Sequence, residues 1–453
     1  IARQDCPNVQ DPNVDPADVA ELLGHPLCQA NVSNITDLEL YSVRQYDLLE
    51  GSPFGGAGTF TEAAIDPMQD GPRVNRMNVW LVSGRPPGTP VPATGQPVVM
   101  FQHGLTVSKE TGLLFANTMA GASDGGWAVL LPDLPFHGER ASDLVDNTTG
   151  QPCPNIDPDD VICAPNPDNT CMNGCDGLRD DSGTGFVSVN IYATRDTLRQ
   201  TAIDHLTLLR HLGEDRFGGS IDIDPAALHF VGFSWGAVTG SKTLAFAEEI
   251  QAAVLNATGG GLTNVLLTST PELTGALFAG LAQLGVCELV DPMNPGLGCQ
   301  PSLLFDLFLL LAQTAVDPGD PLATAIGLDP AFVANDLLVQ MIRPDGVIDN
   351  DTTFAQAAVY GFFDPTMGMP TTDRFQIFPL DFRSEDPNRC HGALLAFTNL
   401  AGPNPTTSFC GMDVVDAICN TYSIQEQAAV FLADGMVVNG QVPQTVQDIF
   451  GCN

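Results

Sequence analysis

Leu228-His229-Phe230-Val231-Gly232-Phe233-Ser234-Trp235-Gly236-Ala237-Val238 is the stretch from which the fold can be read. An apolar run of strand character meets Gly-x-Ser-x-Gly and passes straight into a helix-forming segment, the setting that a nucleophile elbow needs. The glycines at 232 and 236 have a steric task, because a serine on so sharp a turn sits in a strained backbone and its flanks must approach closely. The helix that follows aims its N-terminal amides and positive dipole end at the serine oxygen. A second match, Gly121-Ala122-Ser123-Asp124-Gly125, has the opposite context: it follows a helical stretch (113–120) and precedes a strand (127–131). Helix before strand is the wrong order for an elbow, and Ser123 reads as part of a turn.

Outward from the elbow, short apolar runs alternate with amphipathic segments. Residues 38–47, 75–83, 97–102, 127–131, 252–256, 337–341 and 374–379 read as strands. Residues 187–212 place Leu198, Ala202, Leu206, Leu209 and Leu212 at helical spacing, and 353–360 reads as a further helix. Such alternation calls for a mostly parallel sheet with helices on both faces. Four segments follow: a disulfide-stapled arm (1–36), the first part of the sheet domain (37–261), an insertion of apolar helical pieces (262–335), and the rest of the sheet domain with its tail (336–453). Helical pieces at 271–285 and 302–316 lie downstream of the elbow, where they can form a cap; Leu303, Leu304, Phe305, Leu307, Phe308 and Leu309 are candidates to line an apolar site beneath it.

The chain of 453 residues carries a formal charge of −37 and is 44% apolar. That charge opposes binding to nucleic acid or to anionic membranes and favours solubility. Its longest apolar run, 302–312, contains Asp306 and is too short to span a bilayer. Twelve cysteines without zinc-ligand spacing read as disulfides, with Cys6–Cys28, Cys153–Cys163, Cys171–Cys175 and Cys287–Cys299 paired by proximity. An oxidising, extracellular location is implied, and the start at Ile1 without a basic-plus-apolar leader reads as a mature form after signal-peptide removal. Residues 143–185 are rich in Asp and Cys and read as a braced, solvated loop, with Asp157, Asp159 and Asp160 as weak candidates for a structural calcium.

A serine hydroxyl needs a neighbouring base, and imidazole suits that task near neutral pH. In a sheet enzyme built on an elbow the order is Ser, acid, His. His25, His103, His137, His205, His211 and His229 all precede Ser234; only His391 follows it. The acid belongs in the loop after the strand ending near Met341, where Asp345, in a Pro-Asp-Gly turn, ranks before Asp349. The amides of Trp235 and of Leu105, in the His103-Gly104-Leu105 loop, are the candidate oxyanion donors.

Strand, His-Gly-Leu (103–105), Pro-Asp-Leu-Pro-x-His-Gly (132–138), Gly-Phe-Ser-Trp-Gly (232–236), Pro-Asp-Gly (344–346) and His391-Gly392 together resemble the α/β-hydrolase superfamily over residues 75–400. Within it the chain is similar to secreted bacterial lipases and esterases of the extracellular virulence-factor lipase type. The resemblance implies ester hydrolysis through an acyl-serine intermediate without an organic cofactor, and the apolar cap points to lipid or other apolar acyl esters. A polyester depolymerase of the same mechanism is the alternative, and a catalytically silent scaffold used for binding or adhesion is the alternative of another class.

Overall fold

Valine, isoleucine, leucine and phenylalanine runs bounded by Gly, Pro and Asp make the strands of a central sheet, because such runs can bury both faces of the pleat. In the computed structural model, the structure describes residues 34–50, 59–60, 73–85, 89–105, 107–121, 126–140, 186–379, 390–391, 393–394 and 414–437. The strands are β1 Ile35–Asp47, β2 Arg73–Gly84, β3 Gln96–Gln102, β4 Ala128–Pro132, β5 Ile223–Phe233, β6 Ile250–Asn256, β7 Leu337–Arg343 and β8 Phe375–Pro379. They lie in the order β1-β2-β4-β3-β5-β6-β7-β8. β2 pairs antiparallel with both β1 and β4, and all remaining pairings are parallel. The chain runs from β3 out to β4 and returns to the other side of β3 as β5, so the direction of winding reverses between β3 and β5. Open parallel sheets leave a crevice beyond the strand ends at such a point.

Strand alternation sorts the core into two layers. Val98, Met100, Leu228, Phe230, Ala253, Leu255, Val339 and Met341 pack under helices α2 (Ile191–Gly213), α3 (Trp235–Leu244) and α7 (Asn350–Val359). Val99, Phe101, Val231, Phe233, Val254, Leu338 and Ile342 pack under α1 (Gly112–Gly121) and α8 (Val414–Asp434). Leu209 and Leu212 of the expected apolar stripe on α2 reach the first layer. Gly240 on α3 lies over Phe230; a Cβ there would come within 2.2 Å of the ring.

Between β6 and β7 the chain forms α4 (Leu262–Thr268), α5 (Pro271–Gln283) and α6 (Leu303–Val316). Cys287 and Cys299 are disulfide-bonded, as the spacing suggests, whereas Cys390, expected to pair like the other cysteines, is a buried free thiol. Phe278, Leu281, Cys287 and Phe305 make a separate small core for these helices. The buried carboxylate of Asp320 ties them to the sheet domain: it accepts from the amides of Gly261, Leu262 and Leu322 and from Gln313 Nε2. Phe308 and Leu309 face an apolar cavity shared with Ile191, Leu266, Leu277 and Leu281. Leu303, Leu304 and Leu307 instead face solvent and Phe305 is taken up in the small core, so only part of that expected lining is present. A helix apolar on every side turns some of its leucines away from any one partner.

Much of the arm, the loop at 143–185 with Asp157, Asp159 and Asp160, three of the suggested cysteine pairs, Ser123 and the chain beyond Leu394 up to 413 lie outside the described residues. Among the described residues no group of three or more His, Cys, Asp or Glu side chains could hold a metal ion, and no helix is long and apolar enough to cross a membrane.

Phe230 is fully buried where α3 crosses β5. Phe230→Ala is expected to cost about 3–5 kcal/mol, combining lost transfer energy with a cavity that the sheet cannot close. The measurement is a drop in the urea midpoint.

Candidate active site

β5 ends at Phe233 and α3 begins at Trp235, leaving Ser234 alone to make the turn. Its φ of +56° and ψ of −126° lie where a side chain is seldom tolerated, a strain on the order of 1–3 kcal/mol that the surroundings must impose. The two glycines allow it. A Cβ on Gly232 would come within 2.5 Å of Ala237 Cα, and one on Gly236 within 2.1 Å of Gln102 O. The Ser234 amide donates to Asn256 O on β6 at 2.9 Å, and the serine side chain caps no helix amide, which leaves the hydroxyl for another partner.

That partner is His391. Its Nε2 stands 2.6 Å from Ser234 Oγ and its Nδ1 stands 2.7 Å from Asp345 Oδ2. The other carboxylate oxygen of Asp345 accepts from the amides of Val347 and Ile348, so the turn both shapes the loop and aims Oδ2 at the ring. Asn350 holds this loop: its Oδ1 accepts from the Asp345 amide and its Nδ2 donates to Ile342 O. Asp349 is placed elsewhere, capping α7 through the Asp351 amide. Between the two carboxylates that the sequence leaves open, Asp345 is the one that meets His391. With Nδ1–H toward the carboxylate, Nε2 is free to take the serine proton, and Asp345 can stabilise the resulting imidazolium. Ser234, His391 and Asp345 are all buried, where these charges act with little screening.

Gly104 lies against the serine: a Cβ there would come within 2.7 Å of Ser234 Cβ and 3.0 Å of Oγ. The amides of Leu105 and Trp235 flank the same place, and neither has an acceptor among the described residues. Two unpartnered N–H groups beside a buried nucleophile can receive an oxyanion.

The remaining described histidines are at other posts. His205 bridges Gln102 Oε1 and Thr243 Oγ1 and is pushed down to about 3 by burial. His229, beside Trp127, is pushed down to about 4 by the same cause. His137 bonds Pro135 O through Nδ1 and is lowered to about 3, chiefly by burial.

The strand order and the strained Ser234 turn decide the architecture. The chain has the α/β-hydrolase fold. No protein-family model matches this sequence, and no curated protein does. Solved structures similar to it include an acylaminoacyl peptidase from Pyrococcus horikoshii, 13% identical, with a TM-score of 0.38 over 76% of this chain and 38% of that one. An acetyl xylan esterase from Paenibacillus sp. R4 is 12% identical, with a TM-score of 0.36 over 76% and 82% of the two chains. A thermostable esterase from Pseudomonas putida ECU1011 is 13% identical, with a TM-score of 0.35 over 77% of each chain. The chain thus spans well under half the length of the peptidase.

Asn350, Lys109 and Asp133 are parts of this site that the sequence does not single out, whereas His103, expected as a structural hydrogen-bonding residue, bonds Gly104 O and the Leu134 amide. His103 directly follows β3 and Asp133 directly follows the adjacent β4.

The two loop carboxylates separate by experiment. Asp345→Asn is expected to slow fluorophosphonate labelling of Ser234 by roughly 10³-fold or more, because the imidazole loses its orienting charge. Asp349→Ala is expected to leave the labelling rate unchanged and to cost about 1 kcal/mol of stability through the lost cap. Labelling rates and thermal melts of the two variants check both.

Proposed function

We propose that this protein is a serine carboxylic-ester hydrolase acting on apolar acyl esters, with Ser234 as nucleophile, His391 as general base and acid, and Asp345 as its orienting carboxylate. The observation that carries this is the unbroken Ser234–His391–Asp345 hydrogen-bond chain beside two amides that have no acceptor among the described residues. Ser234 Oγ attacks the ester carbonyl as His391 Nε2 takes its proton, and the carbonyl oxygen becomes an anion held by the amides of Leu105 and Trp235. The tetrahedral adduct expels the alcohol, to which His391 returns the proton, leaving an acyl-serine. Water then attacks the acyl carbon as His391 Nε2 takes its proton, and on collapse of the second adduct that proton passes to Ser234 Oγ as the carboxylic acid leaves.

Three features support the finer parts of the reading. The apolar cavity in the helical insertion adjoins side chains packed with Trp235, through Ile191, Leu266 and Val316, and favours an acyl group over a polar one. The Cys287–Cys299 disulfide fits an extracellular, oxidising location, as does the sequence resemblance to secreted lipases. The exposed leucines of α6 favour a water-insoluble substrate, and for that reason hydrolysis of a polyester is the second reading.

Wild-type protein is expected to hydrolyse p-nitrophenyl esters and to be labelled at Ser234 by a fluorophosphonate. Ser234→Ala is expected to lower kcat by about 10⁵-fold or more. Rates across acyl lengths, and acid release from a polyester film, sort the substrates. A folded wild type that neither turns over any ester nor takes up the label would leave the silent binding scaffold as the answer.

A further inference from the structure

The Pro-Asp-Leu-Pro-x-His-Gly segment has no part in the serine chemistry described so far, yet it packs against the loop that carries Leu105. His103 opens that loop. Its Nδ1 stands 2.7 Å from Gly104 O, and its Nε2 accepts from the Leu134 amide at 3.1 Å. An Nε2 that accepts carries no proton, so the ring proton is on Nδ1 and is donated to the Gly104 carbonyl. Asp133 Oδ1 lies 3.5 Å from Nε2, too long for a hydrogen bond. Asp133 instead closes the far end of the loop, accepting the Lys109 amide at 2.8 Å and Lys109 Nζ at 2.7 Å. Gly138 lets the segment fold onto that carboxylate, for a Cβ there would come within 2.6 Å of both oxygens. The loop is thus gripped at His103 by Leu134 and at Lys109 by Asp133.

A trans peptide points its C=O and the following N–H in opposite directions. A carbonyl of Gly104 drawn to His103 therefore sends the Leu105 N–H the other way, with Gly104 lying between the imidazole and Ser234. We propose that His103 is a positioning residue for the reaction: through the Gly104 carbonyl it holds the Leu105 N–H on the oxyanion, and Leu134 and Asp133 hold His103 and its loop in that state. This rests on the reading of Ser234 as the nucleophile. His103 touches neither substrate nor Ser234, so its effect is on transition-state charge and not on substrate binding.

Two polar replacements of similar tolerance test this. In His103→Asn the new amide nitrogen can occupy the place of Nδ1 and donate to Gly104 O, whereas in His103→Gln the longer side chain carries its donor where Nε2 lies. His103→Asn is expected to keep kcat for p-nitrophenyl butyrate within about threefold of wild type. His103→Gln is expected to lose about 10²-fold, in the range seen when one oxyanion donor is removed, with KM unchanged. Binding of an arylboronic acid, whose tetrahedral adduct needs the same donor, should weaken in parallel with kcat, while binding of the product carboxylate does not. Active-site titration with a fluorophosphonate corrects each rate for folded protein. Equal corrected kcat values for the two variants, or losses confined to KM or to the folded fraction, would overturn the proposal. A wild type without turnover or label would instead remove the reading on which it rests.

Discussion

The contact between Gly236 and the backbone at Gln102 and His103 is the constraint from which the site follows. It lets the start of α3 and the end of β3 meet at van der Waals distance, and any side chain at 236 would force them apart. With them in contact, Ser234 is left at positive φ on a turn that cannot relax, its hydroxyl displaced from the capping position a serine usually takes at a helix start. Strain, exposure of the oxygen to His391 and closeness to Gly104 are therefore one geometric fact seen from three sides.

The site is buried, and burial sets the terms for every polar group in it. A desolvated imidazole, carboxylate and hydroxyl are tolerable because each of them has a polar partner: Asp345 turns one oxygen to two amides and the other to His391. The same rule explains the neighbouring Asp133. Burial pushes its carboxyl up, the hydrogen bonds and charge of Lys109 pull it the other way, and it is held well below the ordinary carboxylate range. Lys109 is itself fully enclosed, so removing either partner would strand a charge at a cost of about 3–5 kcal/mol. An ion pair of that kind adds little net stability over apolar packing; what it adds here is a fixed distance between the start of α1 and the end of β4.

Most of the sheet could be read from the sequence, for a physical reason. Strands such as 97–102 and 228–233 are buried on both faces, so their apolar runs are nearly continuous. The elbow was legible because its glycines are sterically required, and His391 because of chain order. Asp345 could be ranked but not distinguished from Asp349 by composition; what separates them is that one carboxylate folds back on Val347 and Ile348 while the other caps a helix, a difference of backbone direction. The His103–Asp133–Lys109 cluster was harder still, because it depends on β3 and β4 being neighbours, and strand order is a long-range property. Part of the leucine set on α6 was assigned to a lining on hydropathy alone, and hydropathy has no direction.

That helix shows how two opposing tendencies are reconciled in one chain. Phe305, Ala312 and Val316 bury one side, Phe308 and Leu309 face the apolar cavity, and Leu303, Leu307, Leu310 and Leu311 stay in solvent. An uncovered face of this kind promotes association in most proteins. Here it belongs to a molecule with a formal charge of −37, so two copies approaching leucine to leucine also bring together two strongly negative bodies. Repulsion of that size acts over about 10 Å at moderate ionic strength, farther than the short-range gain from apolar contact. The charge excess and the leucine face thus act against one another: the first opposes the close approach of copies that the second would favour.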